Sequence, residues 1–197
     1  YAYRQTLIHN PTEPIKNEDG TWYENTGVFE YANPLELLYE SDGKQEITQT
    51  RFYGSATVLP FEGMTLKALL SYDKQHQYGG YYETKYNISN VRDNRNGYAS
   101  VSSSTNMTKL MELTAQYQKK INGHNITALA GYSYQGTDYS NEYETNYDFP
   151  TDLYSYKNIG AGEALKKGLA SQYSYNIQTN LISFFGRLTY SYKDRYL

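Results

Sequence analysis

Apolar and polar residues alternate with a period of two in five stretches of this chain, the pattern of β-strands with one apolar and one polar face. In 49–59, Phe52, Gly54, Ala56 and Val58 share one face, and Arg51, Tyr53, Ser55 and Thr57 the other. Met64, Leu66, Ala68, Leu70 and Tyr72 then oppose Thr65, Lys67, Ser71 and Asp73, with Leu69 breaking the alternation. A third stretch sets Met111, Leu113, Ala115 and Tyr117 against Glu112, Thr114, Gln116 and Gln118. A fourth sets Ile126, Ala128, Ala130, Tyr132 and Tyr134 against Thr127, Gly131, Ser133 and Gln135. The fifth places Phe184, Gly186, Leu188, Tyr190 and Tyr192 opposite Arg187, Thr189 and Ser191. Its parity fails upstream of about Ile182, which predicts a bulge or a membrane boundary there.

The connections alternate in length. Tight turns are expected at 60–63, near 120–125 around Asn122-Gly123, and at 193–195, because Asn-Gly readily supplies the positive φ a two-residue hairpin needs. Long polar segments run from about 76 to 106 and from about 137 to 170. Loops of that length are uncommon inside compact domains. Short connections on one side and long ones on the other match a transmembrane barrel with periplasmic turns and extracellular loops. Each alternating core is about 9 to 11 residues, enough to cross a bilayer at the usual tilt. Arg51, Lys67, Glu112 and Gln116 on the polar face suit an aqueous lumen better than a dry core. Five strands do not close a barrel, so residues 1–197 are expected to be part of the wall of a larger one, without a plug domain.

Composition sharpens this reading. The 197 residues include 25 tyrosines and no cysteine, and the net charge is -3. That charge gives no footprint for nucleic acid. Tyrosine, with an apolar ring and a polar tip, suits strand surfaces and membrane interfaces. Tyr117, Tyr132, Tyr134, Tyr190, Tyr192 and Tyr196 fall at strand ends, where an aromatic girdle would seat a barrel in lipid. No apolar run is long enough for a membrane-spanning helix.

Functional candidates are aromatic. Trp22 and Tyr23 lie in the first segment, and Tyr78, Tyr81, Tyr82 and Tyr86 cluster in a long connection. Such rings stack on sugars and hydrogen-bond hydroxyls or peptide groups; they also pack loops together. Asn17-Glu18-Asp19-Gly20 offers too few oxygens for calcium and reads as an acidic turn. Asp138, Glu142, Glu144 and Asp148 read as a solvated acidic run. His9, His76 and His124 stand apart, without the spacing of a zinc site. A hydrolase reading built on His76, Asp73 and Ser102 to Ser104 lacks a nucleophile-base spacing, so no enzyme activity and no cofactor are expected. The remaining alternative is a soluble, tyrosine-rich β-sandwich that binds carbohydrate; it requires a second sheet over the apolar strand faces.

Asn10-Pro11-Thr12-Glu13-Pro14, Asn17-Glu18-Asp19-Gly20 with Trp22-Tyr23, Asn33-Pro34-Leu35 and, above all, Phe185-Gly186-Arg187 leading into Tyr190-Ser191-Tyr192-Lys193-Asp194-Arg195-Tyr196-Leu197 resemble the SusC/RagA family of TonB-dependent outer-membrane transporters. The resemblance implies a plugged barrel of about 22 strands, of which this chain is roughly a quarter of the wall. It also implies a SusD-like lipoprotein partner, energy from the TonB complex, an oligosaccharide or peptide substrate, and outer-membrane lipid around the barrel.

Overall fold

The computed structural model describes residues 2–25, 27 and 32–193. Five strands, β1 (Ser41–Val58), β2 (Met64–Glu83), β3 (Tyr98–Ile121), β4 (His124–Tyr147) and β5 (Gln172–Tyr192), form one antiparallel sheet. Their order in the sheet is β1-β2-β3-β4-β5, so each strand pairs with its neighbours in sequence. Short helices stand outside it: α1 (Ala2–Ile8), α2 (Pro34–Tyr39), α3 (Ile88–Asp93) and a 3₁₀ segment at Ser155–Ala161.

The first two tight turns fall where the sequence places them, and of the third, expected at 193–195, only Lys193 is among the described residues. Asn122 (φ 48°) and Gly123 (φ 84°) both take positive φ, the two-residue hairpin that Asn-Gly favours. Gly63 closes the β1–β2 turn at φ 84°, and a Cβ there would sit 2.3 Å from the Gln118 carbonyl oxygen, so no other residue fits. At the third turn Lys193 has a positive φ of 47°. The expected girdle residue Tyr196 lies outside the described residues.

The strands are longer than their alternating cores, at 18 to 24 residues. The segments expected as loops from about 76 and about 137 begin as strand: β2 continues to Glu83 and β4 to Tyr147. Tyr78, Tyr81 and Tyr82, read as loop residues, are therefore strand residues, as are Ser102 to Ser104 and most of the acidic run. β5 is continuous through Ile182.

Two compact units emerge. The first comprises Tyr1–Glu46, Gln77–Ser103 and Asn141–Ser174 and holds a small apolar core. There Tyr82, 2% exposed, meets Phe149 edge-on at 5.5 Å, with Ala99 and Tyr156 beside them. A Cβ on Gly80 would lie 2.2 Å from the Tyr156 ring, so the glycine makes room for that aromatic. Asn146 fastens the same connection, donating to the Ile159 and Gly162 carbonyls at 2.8 and 2.9 Å.

The second unit comprises Ile47–His76, Ser104–Ser140 and Tyr175–Leu197. It has no covered core among the described residues: Phe52, Leu70, Leu113, Ile126, Phe184 (79%) and Leu188 (72%) are exposed. The described strands make a single sheet, so the second layer that a sandwich requires is not there to cover these rows. The polar face carries an Arg51–Asp73 ion pair, with Gln49 Nε2 donating to Asp73 at 3.1 Å. On that face the Phe185 ring lies over Gly131, where a Cβ would be 2.2 Å away.

Candidate functional site

The first unit contains a cleft of about 700 Å³ lined by Lys16, Asp19, Trp22, Tyr23, Glu24, Glu40, Tyr86 and Ile88, among others. It is built from a hairpin, α2 and the start of α3. In the hairpin, Lys16 bridges Trp22 antiparallel, Gly20 N donates to Asn17 O at 3.0 Å, and Gly20 takes φ 84°. Asp19 Oδ1 accepts from Thr21 N and Oγ at 3.0 and 2.6 Å; the Thr21 hydroxyl is the main reason its carboxyl sits below the ordinary range. The acidic turn thus satisfies itself. Among the described residues no cluster of three or more metal-ligating groups exists.

Asn33 fixes the hairpin to α2. Its Oδ1 caps the helix by accepting from Leu35 N at 3.1 Å, and Pro34 follows at the first helical position. Its Nδ2 donates to the Ile15 and Tyr23 carbonyls at 2.9 and 3.2 Å. The residue is 2% exposed, so all three bonds are made away from water.

Trp22 stacks on Tyr39 at 6.0 Å and 19°, and the Lys16 ammonium stands 4.4 Å from the centre of its ring. Its Nε1 donates to Glu40 Oε1 at 2.8 Å. Glu40 is held in turn by the Thr84 hydroxyl and, through its own carbonyl, by Thr84 N at 2.9 Å. Tyr86 is the open aromatic of the cleft, 56% exposed, with Lys85 Nζ 5.0 Å from its ring.

Of the six aromatic candidates, three therefore meet: Trp22, Tyr23 and Tyr86 line one cleft. Tyr78 and Tyr81 are exposed on β2, where Tyr81 donates to Glu83 at 2.8 Å. Tyr82 is a core residue whose hydroxyl donates to Asp152 at 2.7 Å, and its ring faces are spent on packing.

The second unit carries a different arrangement. Near the tight turns, Phe61 lies 6.3 Å from Tyr117, and His124 stacks between Tyr190 (5.8 Å) and Tyr192 (4.6 Å). On the same apolar face but further from the turns, Phe52 meets Tyr72 at 6.4 Å and Tyr132 meets Phe184 at 5.2 Å. Between these two belts stand Leu66, Ala68, Leu113, Ala115 and Ala130. Met64 to Tyr72 spans about 26 Å along the strand, or about 20 Å along the normal of a barrel tilted near 40°. That is the scale of an apolar band flanked by aromatic girdles.

No protein-family model matches the chain. TonB-dependent receptor P26 of Formosa agariphila is 28% identical over 201 residues, matching 100% of this chain and 20% of its own length. TonB-dependent receptor P3 of the same organism is 26% identical over 189 residues, 95% of this chain and 18% of its own. The chain thus spans about a fifth of these curated relatives. Among solved structures, the RagAB peptide transporter superposes with a TM-score of 0.73 at 19% identity, over 89% of this chain and 20% of the neighbour. The RagAB peptide importer in its closed-closed state gives 0.67 at 21%, over 78% and 16%. The chain is similar to a barrel-wall segment of SusC/RagA-type TonB-dependent receptors. It is an outer-membrane protein.

In this segment the remaining polar candidates have structural partners. His76 Nδ1 is 3.0 Å from Thr105 Oγ, and Asp73 is engaged by Gln49 and Arg51 rather than by a histidine. Glu144 accepts from Gln172 at 2.6 Å and Asp148 from Asn96 N at 3.0 Å. None of the relatives and neighbours named above bears an enzyme's name.

Three further residues that shape the cleft, Glu24, Glu36 and Asn33, are not among the sequence candidates. Glu36 is 0% exposed, and only its Oε1 has a partner, Ile88 N at 2.8 Å. Glu24 Oε2 accepts from Asn33 N at 2.9 Å, while its Oε1 is enclosed without a hydrogen bond. Burial pushes both carboxyls up to about 7. Of the three, only Asn33 carried a sequence signal, the Asn-Pro pair that so often opens a helix.

Proposed function

We propose that this chain is part of the wall of an outer-membrane importer that takes up oligosaccharides or peptides by binding and gated passage, without bond chemistry. The observation that carries the proposal is the exposed apolar band of the second unit, bounded by two aromatic belts and backed by a charged face. Its apolar rows would meet lipid tails, and Arg51, Asp73 and Lys67 would line a watery lumen.

In this reading the long connections lie outside the cell, and the cleft of Trp22, Tyr23 and Tyr86 contributes substrate contacts there. Tyr78 and Tyr81 are secondary candidates on β2. A SusD-like lipoprotein lids the barrel, and TonB acts on a plug belonging to the whole receptor. The names of the relatives and the RagAB neighbours support this reading.

The test uses the full-length receptor in its own host. It should fractionate with outer membranes, and its deletion should abolish uptake of either labelled oligosaccharides or labelled peptides while sparing the other class. Recovery in the soluble fraction, or unchanged uptake of both, overturns the proposal.

A further inference from the structure

Glu24 and Glu36 are the least expected residues of the first unit. Two enclosed carboxylate oxygens, Glu24 Oε1 and Glu36 Oε2, have no hydrogen-bond partner. An ionised carboxylate left so would cost several kcal/mol, whereas a protonated one costs far less. The surroundings give a second carboxylate no help. The charged groups acting on Glu36 are Glu24, Glu40 at the end of α2 and Glu83 at the end of β2. Tyr81 of β2 also feels Glu36. From α3 it accepts the Ile88 N–H. On α1, which packs on α2, the charged residue is Arg4, and it is exposed. Among the described residues neither Glu24 nor Glu36 has an ion-pair partner.

Position makes this more than a local oddity. Glu24 lines the cleft and holds Asn33 N, the residue whose side chain ties the Trp22 hairpin to α2. Glu36 sits inside α2 and holds the first turn of α3. The two carboxyls therefore stand at the seam where every wall of the cleft meets.

We propose that Glu24 and Glu36 form a proton-binding latch: with protons bound, the hairpin, α2 and α3 close around the Trp22 cleft, and loss of the protons loosens them. Closed, the pair keeps its protons up to about pH 7; released to water, each carboxyl keeps one only to its ordinary 4.5. The closed form is thus favoured fully below 4.5 and loses stability as pH rises to 7. Each carboxyl then raises the opening constant by roughly tenfold per pH unit across that window, with little further change above it. The latch regulates the cleft of the proposed importer, but its readout is local opening, so it stands or falls apart from transport.

The experiment is hydrogen exchange by mass spectrometry on the full-length receptor in detergent, at pH 5, 6, 7 and 8, with rates corrected for intrinsic chemistry. Peptides covering 15–25 and 33–40 should lose protection by at least tenfold between pH 5 and 7 and change little from 7 to 8. Peptides from β3 and β4 serve as the reference and should not follow. Glu36→Gln keeps a group that accepts from Ile88 N and cannot ionise; it should remove about half of the pH dependence, and Glu24→Gln should remove the other half. If Glu36→Gln fails to assemble, Glu24→Gln alone must reduce the slope by about half. Equal protection at pH 5 and 7 in the wild-type receptor, or an undiminished slope in Glu24→Gln, overturns the latch.

Discussion

Leu70 and Ser71 are adjacent on β2 and point to opposite faces of the sheet, so placing arginine at each in turn separates the lipid face from the lumen face with one change of chemistry. Leu70 is 60% exposed in the second unit and lies on the apolar face between its two aromatic belts, one alternation from Tyr72. An arginine on the lipid face of a barrel costs about 2–4 kcal/mol at the midplane and about 0–1 kcal/mol near an interface, so about 1–3 kcal/mol at the intermediate depth of Leu70. Losing the exposed three-fifths of a leucine's transfer energy adds roughly 1–2 kcal/mol, since full burial contributes about 1.5–3 kcal/mol. Leu70→Arg should therefore destabilise the folded, inserted receptor by about 2–5 kcal/mol, a factor of at least ~30 in the folding equilibrium. Ser71 shares its face with Asp73 and Lys67 in water. Ser71→Arg, with Asp73 nearby, should stay within about 1 kcal/mol. The assay is guanidinium unfolding of the full-length receptor in lipid vesicles, followed by tryptophan fluorescence and by heat-modifiable gel mobility. Equal costs for the two substitutions, or a receptor that gains solubility without detergent on Leu70→Arg, would refute the assignment of faces.

Other consequences can be checked on the same protein. Asn33→Ala removes a helix cap and two buried donors and should destabilise the first unit by about 3 kcal/mol, seen as faster proteolysis within 15–40. Gly131→Ala should cost about 1–3 kcal/mol because the new methyl meets the Phe185 ring, and the cost should largely vanish in a Phe185→Ala background, a double-mutant cycle readable by chemical unfolding. Tyr86→Ala should weaken substrate binding roughly tenfold in calorimetry with thermal stability unchanged, if an exposed ring stacks on substrate. Tyr82→Ala should behave the opposite way, lowering the unfolding midpoint through a loss of about 3–5 kcal/mol of core packing.

The sequence made the second unit readable because one physical contrast, lipid against water, governs every strand there. Phe52, Leu70, Leu113, Ala130 and Leu188 alternate with polar neighbours for that reason. The same strands were not readable in the first unit. At Gly79-Gly80-Tyr81-Tyr82 the face that elsewhere meets lipid is covered by the chain itself, with Tyr156 over Gly80 and Phe149 against Tyr82. A glycine and a tyrosine there satisfy a specific partner instead of a uniform medium, so period-two counting ends β2 too early. The cleft was half legible: Trp22, Tyr23 and Tyr86 announce themselves as aromatics, but nothing local says that residues more than sixty positions apart share a wall. Glu24 and Glu36 look like any exposed acid of a polar segment. Their burial comes from the way the hairpin and α1 come together with α2, whose Glu36 reaches the start of α3, which single-residue polarity cannot reveal.

The pairing of every strand with its sequence neighbours has a kinetic consequence. β3 and β4, each 24 residues long, meet through the two-residue bend at Asn122-Gly123, so their hydrogen bonds can form one after another outward from a single nucleus. No distant segment must be found before the ladder grows, and the loop-closure entropy is met in small steps. Replacing Gly123, at φ 84°, with a β-branched residue strains that bend, and should therefore slow assembly of this hairpin by about as much as it weakens the finished one.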